Sequence, residues 1–174
     1  MHNVDLEQLR ETIKKSETDP AALEINAVLE GEWRTGDDLP QFGGTVKFGA
    51  GETLFESDFP VSLGGKGRRP TPLQYCFWGG IACFASTFAI VAADEGIEIK
   101  KLTVQMTGKI DFHQATGLAG PDPITGLTWN VKVDSPASDA DLERLLALAE
   151  ERCPASWMLG NVVPLKTSIQ RTSL

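Results

Sequence analysis

Apolar positions along the chain fall into three patterns. The longest is a stretch without a single charge, residues 73–93. By length it is enough to cross a bilayer. It also holds Gln74, Cys76, Cys83, Ser86, Thr87 and the Gly79-Gly80 pair, and its sequence neighbours alternate as strands of a soluble sheet do. A helix that is apolar all round must be enclosed by something, so the pattern predicts a fully buried central helix of a soluble domain, not a span. Gly96 is placed as its C-terminal stop.

The second pattern is alternation with period two. Leu23, Ile25, Ala27 and Leu29 alternate with Glu24, Asn26, Val28 and Glu30, which predicts a strand over 23–30 with one wet face. Residues 45–48 and 53–56 flank Gly49-Ala50-Gly51, the arrangement of a hairpin. Leu102, Val104 and Met106 alternate with Thr103, Gln105 and Thr107, and Leu127, Trp129, Val131 and Val133 with Thr128, Asn130, Lys132 and Asp134. Residues 162–169, with Pro164, read as a last edge strand.

The third pattern is the helical stripe. Leu6, Leu9 and Ile13 share one side of a helix predicted over 5–17, with Asp5 and Gln8 as its N-terminal cap and Asp19-Pro20 as its end. Leu142, Leu145, Leu146 and Ala149 mark a second helix over 138–152, opened by Ser138 and Asp141 at capping-box spacing and interrupted by Pro154. Three links join these elements: a polar loop over 34–44, a mobile loop over 60–72 rich in Gly, Pro and Arg, and a long Gly/Pro-rich link over 113–125. The order predicts an α+β domain.

Composition narrows the class. The chain has 174 residues, 41% hydrophobic and 23% charged, which fits a single globular domain with a core of its own. Its net charge is −8, and no basic group is longer than Lys66-Gly67-Arg68-Arg69, so a nucleic-acid partner is not expected. Three cysteines are too few for a disulfide scaffold. Residues 1–15 are charged and mixed, unlike a secretory signal. Together these predict a cytoplasmic protein with no membrane partner.

The cysteines carry the candidate chemistry. Cys83 falls in the middle of the predicted buried helix, with Cys76 two turns earlier on the same face. Cys153 extends the apolar stripe of the second helix. Packing that stripe on the central helix brings Cys153 towards Cys83, although the two are remote in sequence. Pro154 cannot continue the helical ladder, so it is expected to leave Cys153 freer to move. The competing reading is that buried thiols act as small hydrophobes. No metal is expected, because Cys76 and Cys83 lack ligand spacing and the only histidines are His2 and His113. No serine triad or phosphate loop can be argued either; Gly64-Gly65-Lys66-Gly67 lacks the required pattern.

Gly64-Gly65, Pro70-Thr71-Pro72-Leu73-Gln74, Gly79-Gly80-Ile81-Ala82-Cys83-Phe84 and Glu151-Arg152-Cys153-Pro154-Ala155-Ser156 together resemble the OsmC/Ohr family, the osmotically inducible and organic hydroperoxide resistance proteins. The likeness runs by element order from about Leu23 onwards. It makes residues 1–20 an N-terminal helical extension and 21–174 an OsmC-like domain.

The resemblance implies an α+β fold in which antiparallel sheets wrap long buried central helices of an intertwined homodimer. It implies thiol-dependent reduction of organic hydroperoxides without a bound cofactor, with an external dithiol as reductant. Cys83 matches the peroxide-attacking cysteine and Cys153 the resolving one. Only a thiolate attacks, and burial disfavours it, so a cation must come close. The family uses an Arg from the N-terminal strand region, held by a Glu at the start of the buried helix. Arg34 best matches that Arg, with Arg68 and Arg69 as substitutes, but Leu73 stands at the Glu position. Asp58 is a candidate replacement carboxylate.

Of the aromatics on the central helix, Tyr75, Phe77, Trp78, Phe84 and Phe88, most read as core packing and some as pocket wall beside Cys83, with Trp157 and Met158, just past Cys153, as part of that wall. His113 reads as an exposed loop residue. Leu73 also supports a second reading: an OsmC-fold protein that binds an apolar small molecule and has no peroxidase activity.

Overall fold

In the computed structural model, residues 1–171 are described. They form two compact units, one of residues 3–79 with Met1, the other running from residue 80 with His2.

The first unit opens with helix α1 (Leu6–Ser16). The Asp5 side chain accepts the Gln8 N–H at 3.0 Å, Glu7 lies in the first turn, and Lys14 and Lys15 lie in the last. Cap and charges thus both favour the helix dipole. Strands β1 (Glu32–Trp33), β2 (Phe42–Phe48) and β3 (Gly51–Ser57) make an antiparallel sheet in that order. The β2–β3 pairing runs from Phe48 opposite Gly51 to Phe42 opposite Ser57, so the expected hairpin is present and longer than its alternation suggested.

Residues 24–30 correct an expectation. They form no strand, and Ile25 is 91% exposed. Alternation makes a segment suitable for a strand, but a strand exists only where a neighbour completes its hydrogen bonds. Among the described residues no strand pairs with residues 24–30.

The link before the central helix is also less free than its composition implied. Asp58 is buried at 2% exposure, and its Oδ2 accepts the N–H groups of Lys66 (3.3 Å) and Arg68 (3.2 Å). Gly67 donates to the Phe59 carbonyl at 3.2 Å and Gly65 to that of Pro60 at 3.1 Å. Backbone groups that would otherwise need water are satisfied inside the loop.

Helix α2 (Pro72–Asp94) begins in the first unit and ends in the second. Thr71 Oγ1 accepts the Gln74 N–H at 3.3 Å while Gln74 Oε1 accepts the Thr71 N–H at 2.8 Å, a reciprocal cap. At the other end Gly96 takes φ = 70°, with Gly96 N–H bonded to the Ala93 carbonyl and Ile97 N–H to that of Ala92. That paired closure needs a left-handed residue, which glycine supplies without steric cost. By length and composition alone α2 could cross a membrane. It is not buried throughout as expected: Phe84, Phe88, Val91 and Ala92 are enclosed, whereas Trp78 is exposed.

The second unit adds β4 (Lys101–Ile110) and β5 (Ile124–Asp134), an antiparallel pair with Leu102 opposite Val133, Val104 opposite Val131 and Met106 opposite Trp129. Helix α3 (Asp139–Arg152) starts at Ser138, whose hydroxyl oxygen accepts the Asp141 N–H at 3.2 Å. Its stripe buries Leu145 and Ala149 with Phe84, Phe88 and Val91 of α2, and the inward residues of both strands pack on that cluster. Phe84 meets Trp129 edge-on with ring centroids 5.0 Å apart.

Two expectations fail at the end of the chain. Pro154 does not free the backbone; it is the first residue of helix α4 (Pro154–Gly160), where its missing N–H costs nothing. Residues 162–169 form no edge strand and are exposed, with Ile169 fully so. As with residues 24–30, no strand among the described residues pairs with them. The architecture is the expected α+β arrangement of antiparallel sheets with a long central helix.

Candidate active site

Cys83 and Cys153 meet. Their sulfurs lie 3.8 Å apart, within reach of one S–H···S hydrogen bond, and both thiols are free. The meeting follows from the stripe of α3: Leu145 and Ala149 seat that helix on α2, and Cys153 comes one turn after Ala149. Cys153 is wholly buried and Cys83 partly exposed.

The junction holds Cys153 in place. It ends α3, donating its N–H to the Ala149 carbonyl at 3.0 Å, and it starts α4, its Sγ accepting the Ser156 N–H at 3.5 Å. This is the reverse of the freedom that Pro154 was expected to give.

The two thiols differ in acidity. Burial pushes the Cys83 thiol up; the Ala155 N–H opposes this, and the adjacent Cys153 pushes the same way as burial. Burial also acts upwards on Cys153, but the N–H and side chain of Ser156, with help from Cys83 and the Ala155 N–H, outweigh it and bring Cys153 below its ordinary value. The cause is local: the first turn of α4 directs its unsatisfied N–H groups at sulfur. Sequence reasoning missed α4 and these donors; the Ser156 position, three after a residue that precedes proline, was the available signal.

Arg34 belongs to the first unit. Its Nη1 lies 2.6 Å from Glu56 Oε1, and Arg69 Nε lies 2.8 Å from Glu56 Oε2. Glu56 is consequently held below the usual carboxylate range, by the Arg34 hydrogen bond first and that of Arg69 next. The sheet register explains the reach. Arg34 follows β1, Glu56 is on β3, and directly opposite Glu56 on the intervening β2 stands Gly43. A side chain on Gly43 would overlap the Arg34 guanidinium, so its absence lets that group cross the strand.

Glu56 was not singled out from the sequence, and Asp58 was; the structure exchanges them. Asp58 serves the backbone of its own loop, while Glu56 takes the arginines. Arg68 turns to the Asp37 carbonyl at 3.2 Å, as does the Lys66 ammonium. Leu73 takes no part in the Arg34–Glu56–Arg69 cluster.

A cavity of about 540 Å³ opens in the first unit, lined mainly by Leu29, Phe42, Val46, Phe55, Tyr75 and Trp78, with Glu56 and Cys76 on its wall. The Tyr75 hydroxyl donates to the Glu56 carbonyl at 2.9 Å and its ring meets Phe55 at 5.3 Å. The aromatic residues of α2 therefore divide: Tyr75 and Trp78 line this cavity, Phe84 and Phe88 fill the core of the second unit. Trp157 and Met158 are exposed on α4. His113 is exposed in its loop, its Nδ1 2.7 Å from Asp111. Among the described residues no group of His, Cys, Asp and Glu has the makings of a metal site.

Comparison with known proteins gives the family and the fold. The family model for OsmC-like protein matches residues 65–168. A hydroperoxide reductase of Mycoplasma pneumoniae is 27% identical over 124 residues, covering 69% of this chain and 86% of that protein. The crystal structure of an OsmC-like protein from Mycoplasma pneumoniae superposes with TM-score 0.57 at 20% identity, over 79% of this chain and 91% of that one. An organic hydroperoxide resistance protein OsmC from Legionella pneumophila gives 0.56 at 20% identity, over 78% and 91%. The matched segment carries α2 with Cys83, both strands of the second unit and the Cys153 junction, and the chain belongs to the OsmC-like family.

Proposed function

We propose that the protein reduces organic hydroperoxides through Cys83 and Cys153, in defence against peroxides. The observation that carries this reading is the pair of sulfurs 3.8 Å apart in an apolar setting, one reachable and one not. Cys83 as thiolate attacks the terminal peroxide oxygen; the O–O bond breaks, an alcohol leaves and Cys83 becomes a sulfenic acid. Cys153 displaces water from that sulfur to give a disulfide, and an external dithiol returns both cysteines to thiols. The sulfurs need to close by less than 2 Å to reach disulfide bonding distance.

Arg34 enters this proposal as the cation serving Cys83. Glu56 supports its candidacy by presenting a fixed guanidinium, the task that Leu73 cannot perform at the head of α2. The proposal includes a cytoplasmic homodimer. Cumene hydroperoxide consumption with a dithiol tests the function. Reduced protein is expected to consume it rapidly and Cys83→Ser to fall to the uncatalysed rate, a loss of at least about a hundredfold. Equal rates for the two overturn the reading.

The cavity of the first unit favours a second reading, an apolar small-molecule binder whose cysteines only pack. Thiol titration separates the two. Rapid labelling of Cys83 at neutral pH, compared in a Cys83→Ser control, supports redox chemistry; an inert Cys83 supports binding.

A further inference from the structure

We propose that the first unit holds a binding site for a primary ammonium group carried on a small aromatic body, with Asp58 as its anionic anchor. The proposal goes beyond the peroxide reading and does not depend on the cysteines.

Sheet register builds the site. Trp33 on β1 stands opposite Phe42 on β2, and Phe42 stands opposite Ser57 on β3. Residues directly opposite across antiparallel strands share a face, so these three form one row at this end of the sheet. The chain leaves β3 through Asp58 and Phe59, and Pro72 opens α2. With Gln41 they line a second cavity of about 260 Å³, which shares Phe42, Ser57 and Pro72 with the larger one described above. Its wall is almost wholly apolar, and the carboxyl group of Asp58 belongs to it.

Asp58 is 2% exposed. Its Oδ2 accepts the Lys66 and Arg68 N–H groups, whereas Oδ1 has no hydrogen-bond partner among the described residues. A carboxylate accepts on both oxygens, and a buried acceptor left unmatched costs free energy. The basic side chains of the same loop do not match it: Lys66 and Arg68 turn to Asp37, and Arg69 to Glu56. The nearby amide is spent as well. Gln41 Nε2 donates to the Gly64 carbonyl at 3.4 Å, and Gln41 Oε1 accepts the Phe59 N–H at 3.0 Å. These bonds, with the Asp58 N–H on the Pro70 carbonyl and the Gly67 N–H on that of Phe59, hold the anchor and its aromatic neighbour in place. The missing donor comes from outside the chain.

Three properties define it. It donates a proton to Oδ1. It is positive, because a buried carboxylate is costly until a cation pairs with it. The rest of it is apolar, to match the wall, and the three aromatic residues there suit a cation beside a ring face. A quaternary ammonium has the charge but no proton to donate, and an alcohol has the proton but no charge. A divalent metal ion needs several oxygen ligands, and an apolar wall with one carboxylate does not provide them. A primary ammonium on a small aromatic body meets all three requirements.

Calorimetric titration of the full-length protein with 2-phenylethylamine, 2-phenylethanol and phenethyltrimethylammonium tests this. The amine is expected to bind saturably at one site per chain, and the other two at least about tenfold more weakly, the scale of one hydrogen bond to a charged group. Asp58→Asn keeps an oxygen for the Lys66 and Arg68 N–H groups and removes the charge; it is expected to bring the amine down to the affinity of the alcohol. Trp33→Ala, at an exposed residue, is expected to weaken the amine several-fold. Cys83→Ser is expected to bind the amine as wild type does, so the result stands whether or not the protein reduces hydroperoxides. Absence of saturable amine binding overturns the proposal, as does equal affinity for either of the other probes, or an Asp58→Asn affinity equal to that of wild type. Should Asp58→Asn fail to fold, the ranking of the three probes on wild type and Trp33→Ala decides the matter.

Discussion

Both carboxylate oxygens of Glu56 are occupied, one by Arg34 and one by Arg69, and the side chain is largely buried. Its two cations keep it ionised in the folded protein below the pH at which it would protonate in the unfolded chain, near 4.5. Because the folded value is the lower one, its contribution to stability is fully present above that pH and is lost as the pH falls through the folded value. Glu56→Gln should flatten the acid limb of a plot of Tm against pH, and lower Tm at pH 7 because two guanidinium groups then share a neutral partner. An unchanged acid limb would show that the arginines do not depend on this carboxylate. Sequence alone could nominate Arg34, yet not its partner, because the pairing depends on which residue of β3 faces Gly43. That is a matter of sheet register, fixed by the turn after Phe48 and unreadable from residue types. The cysteine pair was legible for the opposite reason: it follows from one helical stripe packing on one apolar helix, and both are visible as periodicity.

At the scale of elements, local signals succeeded where the chain itself supplies the partner. Asp5, Ser138 and Gly96 each mark a helix end by a hydrogen bond to a residue a few positions away, and each does so here. Ser138→Ala should cost about 1 kcal/mol, seen as a lowered denaturant midpoint with unchanged slope. The slope matters because the cap belongs to the folded state alone. The elements that failed, 23–30 and 162–169, are those whose ladder partners would have to come from outside the chain's own sheets. Helix α4 was missed because Pro154 reads equally as a stop and as a start, and only the N–H of Ser156 meeting the Cys153 sulfur distinguishes them.

The whole chain leaves an unusual amount of apolar side chain in water. Ile25, Val28 and Leu29 in the first unit and Val162, Leu165 and Ile169 in the second are largely exposed. Soluble monomers seldom tolerate such groups together, and both segments have the composition of strands. A second copy is the occupant we propose, as the family resemblance implies. Light scattering should give twice the mass of 18.8 kDa, and charged substitutions at Ile25 and Val28 should shift it towards the single mass. A monomeric wild-type protein would refute this. The net charge of −8 restrains unspecific association without opposing a specific apolar contact.

Cys153 is the hinge pin between two helices, ending α3 with its backbone and opening α4 with its sulfur. Forming the bond to Cys83 must move that sulfur towards its partner, which disturbs its 3.5 Å contact with the Ser156 N–H. Oxidation state is thereby written into the backbone: the peroxide-treated protein should be nicked within 154–160 by a protease several times faster than the dithiol-treated form. A molecule that spends its thiols would also signal, by the fraying of one short helix, that it has done so.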